Sequence, residues 1–357
     1  MLYREAGQFK NSYGKDQAIF PIRQDRVVAI VFILLALALP AVLHDDYWYN
    51  AILIPFLVFS LAALGLNILT GYAGQISLGT GGFMAVGAYA CYKLTTAFPE
   101  LNIIVVFLTS GLFAAAVGVV FGLPSLRIKG FYLAVATLAA QFFLIWLFNR
   151  VPWFYNNQPS GTIQSPPREM FGVQVIGAAA APEFRYLIAL VIVVIIALAT
   201  KNLVRGRIGR SWMAIRDMDI AAEIIGIRPL QTKLVAFAIS SYVVGVAGAM
   251  YFAVHLGAAE TIAFDINLSF RVLFMVILGG LGSILGSFMG AAFIVLLPIL
   301  LTNLFVGGLG TAPATAKHVE FIVFGSLIIF FLIVEPGGLA RLWQIGKEKL
   351  RLWPFPY

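Results

Sequence analysis

The sequence predicts an all-α protein, a polytopic transmembrane helical bundle of about ten spans. Three observations carry this. Of 357 residues, 61% are hydrophobic and 11% are charged, against about 25% charged in a soluble domain. Mean hydropathy is +0.93. Apolar runs of membrane-crossing length recur along the chain, cut by charge clusters and by Pro or Gly. A soluble fold of this length needs a polar surface that so few charged residues cannot cover. A cytosolic enzyme, a disordered tail and a nucleic-acid binder are therefore excluded.

The opening 26 residues, MLYREAGQFKNSYGKDQAIFPIRQDR, are too polar and too long for a signal-peptide n-region, so the first apolar run is expected to be a retained span. Spans are expected near 27–43, 51–69, 82–98, 103–122, 130–148, 186–203, 233–255, 266–280, 285–305 and 319–335. Residues 272–301 form one uncharged run, but Gly279, Gly280, Gly282 and Gly286 around Ser283 and Ser287 suit a tight hairpin between two spans. That break puts both termini on one side, with the basic residues. Five Lys and Arg lie in 1–26, two in PSLRIKG (124–130), seven between 201 and 233 and four in the C-terminal tail, 18 of the 24 in all. This is the positive-inside pattern. It accounts for the net charge of +8 and the pI of about 9.6 without nucleic acid. The chain then divides into a cytoplasmic segment 1–26, a transmembrane domain 27–340 with an inner loop 204–232 and an external loop 149–185, and a cytoplasmic tail 341–357.

Catalytic and metal-binding constellations are missing from the sequence. His44, His255 and His318 are far apart near expected membrane boundaries, with no ligand spacing between them, and are expected to be solvated. Cys91 is the single cysteine, so it packs as a small hydrophobe. No Lys precedes Ser or Thr, which excludes a P-loop, so any ATP chemistry belongs to another subunit. Lys93 lies near a span end and can snorkel outward; Arg271, Lys317 and Glu320 are placed near span entrances. No Asp or Glu sits at mid-span, which argues against a carrier built on a buried carboxylate.

Three segments remain informative. GLNILTGYAGQISLGTGGFMAVGAY (65–89) mixes seven glycines with Asn67, Thr70, Gln75, Ser77 and Thr80. It reads either as a broken helix lining a substrate path, with Asn67, Gly74, Gln75, Ser77, Gly79, Thr80 and Gly82 along it, or as a small-residue packing face. ILGGLGSILGSF (277–288) echoes it through Gly282 and Ser283. GRIGRSWMAIRDMDIAAEIIGIRPLQTK (206–233) holds one expected amphipathic helix from Ser211 to Ile225. Trp212, Ile215, Ile220 and Ile224 share its apolar side, and Arg210, Arg216, Asp217, Asp219 and Glu223 are polar. Such a helix lies on the membrane surface or docks into a partner's groove.

Taken together with LPSLRIKGFYLAVATLA (123–139), VILGGLGSILGSFMGAAF (276–293) and EPGGL (335–339), these segments resemble the permease subunits of the branched-chain amino acid ABC importer family, in its LivM-like half. The likeness runs in order from about 27 to 340. It implies the permease fold in a bacterial inner membrane, a second LivH-like permease subunit, two cytoplasmic ATPases that hold the ATP and Mg, and a periplasmic substrate-binding protein. The chain itself would bind no cofactor and catalyse nothing. Residues 209–227 are similar to the coupling helix that enters the ATPase cleft. Ala221-Ala222-x3-Gly226 matches the EAA-x3-G pattern, with Ile220 in place of its Glu and Asp219 one position earlier. The resemblance implies close approach at Ala221 and Ala222, a helix end at Gly226, and polar contacts from Arg216 and Asp217.

Two departures bear on substrate. The family's Gly-Pro-x-Gly element after the fifth span is replaced in NNQPSGTIQSP (156–166), and AETIAFDINLSFRV (259–272) ends in Arg271-Val272 where an uncharged residue is expected in place of Arg271. Substrates of similar permeases include urea, short amides and aromatic acids beside Leu, Ile and Val. A path of Gly, Ser, Thr and Gln offers no fixed charge to a carboxylate, which places specificity in the binding protein. A stand-alone secondary carrier or channel is the competing class, and it has no use for an Ala-Ala-x3-Gly helix.

Overall fold

A computed structural model of the chain describes residues 11, 12, 14, 18–20, 23–126, 132–170, 172–177, 180–308, 310, 313–335 and 337–352. Each of the ten expected apolar runs coincides with a helix. In chain order they begin with α1 (Arg23–Ala38), α2 (Trp48–Tyr72), α3 (Thr80–Ala97), α4 (Ile103–Ser125), α5 (Tyr132–Arg150) and α6 (Pro182–Arg205). The inner loop supplies α7 (Arg207–Asp217) and α8 (Asp219–Ile224). Then come α9 (Pro229–Leu256), α10 (Ile266–Gly279), α11 (Ile284–Gly308), α12 (Pro313–Val334) and α13 (Gly338–Leu352). Among the described residues, seven helical stretches are long and apolar enough to cross a membrane, α10 being counted with the turn before it as Thr261–Gly279. The helix starts follow local chemistry. Pro182 and Pro229 open α6 and α9, where a missing N–H costs nothing. Asn102, Asp265 and Ser283 cap α4, α10 and α11 by accepting from Ile104, Leu268 and Gly286 N–H.

The core is α2, almost wholly buried, with α9 packed against it and against α3 and α4. Small residues allow this closeness: a Cβ on Gly87 of α3 would sit 1.9 Å from the carbonyl oxygen of Gly245 on α9. One end of the bundle gathers the α2–α3 connection, α7–α8, the α10–α11 hairpin and the α12–α13 turn. Arg216 reaches Gly71 there, Gly282 reaches Asn67, and Gly280 abuts Gly337. The inner loop, the Gly-rich hairpin and the start of the C-terminal helix thus meet the broken end of α2 in space.

At the other end, the loop 149–185 is folded. Its strand β1 (Ile163–Gln164) pairs antiparallel with β4 (Ala258–Ala259), and β2 (Arg168–Met170) with β3 (Val173–Ile176). Buried Arg168 donates through Nη2 to the carbonyls of Thr95 and Phe98 at the end of α3, where a cation suits the exposed C=O groups. Lys93 does turn outward: its Nζ lies 4.1 Å over the Trp153 ring and donates to Asn156 Oδ1.

The structure departs from expectation at the C-terminus, where the boundary drawn after residue 340 falls inside helix α13. Arg271 lies within α10, not at its entrance, with its Cζ 5.0 Å from the ring centroid of Phe59, and His255 is half-buried against Tyr251. Most of segment 1–26, Arg127 and Lys129 of PSLRIKG, Pro336 of EPGGL and residues 353–357 lie outside the described residues, as does the side chain of Glu320.

Candidate functional site

The Gly-rich segment is broken at some residues and tightly packed at others. α2 loosens into a π turn over Ile68–Tyr72, residues 73–79 are not helical, and α3 starts at Thr80. The break begins at the gathered end and climbs into the bundle. At the start of α3, Gly81 N–H donates to Ser269 Oγ (2.8 Å) and Gly82 N–H to Gln141 Oε1. Ser269 stands ten residues before the end of α10, about 15 Å along the helix. This is close to half of a hydrocarbon core of about 30 Å. Unwound backbone at such depth requires partners. Thr137 Oγ1 accepts from Leu78 N–H (3.0 Å), and Gln141 Nε2 donates to the Phe264 carbonyl (2.7 Å). Gln75 Oε1 and Thr80 Oγ1, buried in the same stretch, make no hydrogen bond, an arrangement that calls for water or a solute.

Asn67 does not line an opening. It is fully buried and ties the end of α2 to the hairpin 280–283. Its Oδ1 accepts from Gly282 N–H (2.9 Å), and its Nδ2 donates to the Ser283 carbonyl (2.8 Å) and Ser287 Oγ (2.9 Å). Gly79 and Gly82 are likewise packing positions, since a Cβ on them would meet the Thr137 carbonyl at 2.5 Å and Gln141 Oε1 at 3.0 Å. Gly79→Val and Gly82→Val are therefore expected to abolish uptake through misassembly. The measurement is thermal unfolding beside uptake, with a stability loss of about 1–3 kcal/mol each. Full stability with lost uptake would point instead to a purely path-lining role.

The inner loop is two helices, not one. The chain breaks at Met218, whose extended backbone (φ −155°, ψ 98°) separates α7 from α8. The expected common apolar side is therefore split. Trp212 (1% exposed) and Ile215 face the bundle, Trp212 Nε1 donating to the Thr232 carbonyl (3.1 Å), whereas Ile220 (67%) and Ile224 (81%) face outward beside exposed Met218 and Ile225. Gly226 does end α8: at φ +90° its N–H donates to the Glu223 carbonyl and Ile227 N–H to the Ala222 carbonyl, a Schellman closure. Ala222 is buried, while Arg210, Ala221 and Glu223 are exposed.

Arg216 turns inward instead of serving only as an outward contact. Its Nη1 donates to the Gly71 carbonyl (2.9 Å), and its Nε and Nη2 pair with Asp217 Oδ1 (both 2.9 Å). Gly74, at φ +69°, lets it pass: a Cβ there would lie 2.8 Å from Arg216 Cγ. A cavity of about 580 Å³ is lined by Gly74, Gln75, Arg216, Asp217, Asp219 and Ala221, among others. Six residues from two separate sequence expectations thus share one wall. Ser77, Thr80 and Gly82 lie deeper, and Arg210, Glu223 and Gly226 are outside that cavity. Thr137, Gln141 and Ser269 were not singled out from sequence, although a lone Gln inside an apolar helix is itself a signal.

The family model described as "Branched-chain amino acid transport system / permease component" matches residues 49–332. The "High-affinity branched-chain amino acid transport system permease protein LivM" of Escherichia coli is 30% identical over 306 residues, 80% of this chain and 68% of that protein. Its namesake in Salmonella typhimurium aligns equally well. The "Probable branched-chain amino acid transport permease protein LivM" of Methanocaldococcus jannaschii is 23% identical over 329 residues, 81% of this chain and 92% of that protein. No solved structure matches. With its helices, its broken α2–α3 junction and this match across most of its length, the chain belongs to the branched-chain amino acid transport permease family, and it is a multi-pass membrane protein.

Proposed function

We propose that this chain is one permease subunit of an ATP-driven importer in a bacterial inner membrane, moving branched-chain amino acids or a related small solute. In this reading a LivH-like subunit completes the path, two cytoplasmic ATPases hold ATP and Mg, and a periplasmic protein delivers solute to the end capped by 149–185. The gathered end and both termini are then cytoplasmic. The observation that carries the reading is the Arg216–Gly71 bond. It joins a helix pair that presents Met218, Ile220 and Ile224 outward to the unwound end of α2. A push on α8 is therefore delivered to the break, which in turn is tied to the 280–283 hairpin through Asn67. A stand-alone carrier or channel has no use for an exposed apolar surface at that place.

The test is the assembled complex carrying Arg216→Glu with Asp217→Arg. Reversal moves the cation one position and removes the donor to Gly71. Substrate-stimulated ATPase activity should fall to the unstimulated level while the chain still inserts, the stability cost being about 1–3 kcal/mol, from the lost hydrogen bond to Gly71 more than from the exposed ion pair. Wild-type stimulation in the double variant would sink the coupling assignment.

A further inference from the structure

The gathered end carries two amphipathic helices, α7 and α13, whose tryptophans point opposite ways. α7 turns Trp212 into the bundle, whereas α13 leaves Trp343 52% and Leu342 44% exposed. By helical periodicity Leu339, Leu342, Trp343 and Gly346 share one face of α13. Leu339 packs against the core, so the stripe that touches the bundle at its start continues onto the surface of the chain. That start is fixed. Ala340 is buried, and at Gly338 (φ +66°) an added Cβ would lie 2.6 Å from the Gly280 nitrogen.

Connectivity sets this stripe at the level where the bilayer ends. α12 has 22 residues, enough to span, and its last turn is apolar and exposed at Ile333 and Val334. Residues 335–337 alone separate it from α13, so that Gly338 lies at most about 14 Å from Val334. Charge then distinguishes what the stripe faces. The sequence of α13, GLARLWQIGKEKLRL, holds four basic residues and one acid. Lys347 and Lys349 stand at the two edges of the apolar stripe, where their stems can lie along apolar surface and their ammonium groups reach phosphate. Among the described residues neither makes a salt bridge, whereas Arg341 is paired with Glu335 (3.2 Å). The outward apolar residues of α8 are set differently. Met218, Ile220 and Ile224 lie among Asp217, Asp219 and Glu223, which an anionic bilayer surface repels. α8 therefore suits a protein, and α13 a lipid surface.

We infer that α13 lies in the membrane interface and binds anionic phospholipid there. Leu342 and Trp343 enter the boundary between headgroups and acyl chains, and Lys347 and Lys349 hold lipid phosphates. An indole is suited to that level, being apolar with one polar N–H. A zwitterionic lipid offers the same phosphate without net charge, so the lysines favour lipids that carry one. Because α13 begins against Gly280, the lipid contact anchors the hairpin that Asn67 ties to α2. The inference needs a multi-pass membrane protein and does not depend on the importer reading.

The experiment uses the assembled complex in bilayer discs of phosphatidylcholine mixed with phosphatidylglycerol, one or the other brominated near the top of its acyl chains. Bromine quenches a nearby indole, and the difference between the native complex and Trp343→Phe isolates the signal of Trp343. Trp343 should be quenched, and more strongly when phosphatidylglycerol carries the bromine. In the double variant Lys347→Gln with Lys349→Gln the preference should fall about five-fold in relative association for each lysine. Raised salt should weaken it in the native complex. Lys347→Arg with Lys349→Arg keeps the charge and should keep the preference. Absence of quenching by either lipid means that water or another protein covers this face, and overturns the inference. Equal quenching by both lipids, or a preference unchanged in the Gln double variant, overturns it as well. Lost uptake in a complex that still shows the preference counts against the importer reading alone.

Discussion

Gly71→Ala is expected to abolish uptake and to destabilise the folded chain by about 3–6 kcal/mol, combining overpacking with lost buried hydrogen bonds. The added Cβ would fall 2.0 Å from Asn67 Oδ1 and 2.2 Å from the Gly282 backbone nitrogen. Neither neighbour is the loose end of a flexible chain. Asn67 is held at three points, and Gly282 sits at φ +74° in a tight hairpin. Relief therefore means separating α2 from the hairpin, which breaks the Asn67–Gly282 bond and shifts the carbonyl that Arg216 grips. Denaturation in detergent and uptake by the reconstituted complex check this. Gly325→Ala is the control, because a Cβ at that helical position meets nothing within 4 Å. Uptake at the wild-type rate in Gly71→Ala would mean that the junction yields freely and transmits nothing.

The second large effect is expected at Gln141. Replacement by Leu keeps the volume and removes the polar atoms from a side chain that is 1% exposed. Three hydrogen bonds are then lost: those of Gly82 N–H, of the Ser269 O–H (3.0 Å in the native arrangement), which still accepts from Gly81 N–H, and of the Phe264 carbonyl. Gln141, Ser269 and Phe264 are all buried. Interhelical hydrogen bonds in membranes contribute about 0.6–2 kcal/mol each, so a total loss of about 2–6 kcal/mol is expected, seen as a lower unfolding temperature. Gln141→Glu retains the acceptor and should fall between Leu and the native residue. If Gln141→Leu were as stable as the native chain, the start of α3 would have to be solvated by some other route.

Much of the architecture was legible because a bilayer simplifies the code. Hydrocarbon excludes charge, so apolar runs mark spans and Lys and Arg mark one face. Glycine clusters at 65–89 and 277–288 marked both breaks, since close approach and positive φ favour Gly. The 206–233 loop was recognisable by its alternation of charge and apolar residues, but its internal geometry was not. Helical periodicity is unchanged by one extended residue at Met218, yet that residue rotates Ile220 and Ile224 away from Trp212. Arg271 was misplaced for a related reason. Local hydropathy locates a charge relative to the end of its own span, not relative to the ring of a helix more than two hundred residues earlier.

By itself, then, the sequence determined the class of protein, the order of its long apolar helices, and the two places where the chain breaks between them. Those depend on the free energy of each residue in water or hydrocarbon, a local quantity. Only the tertiary structure decided that Asn67 locks the hairpin, that Arg216 grips Gly71, that Gln141 closes the start of α3 and that Arg271 lies on Phe59. These are pairings across long sequence separations. They are selected because a buried donor, acceptor or charge must find its partner inside the protein when no water is available.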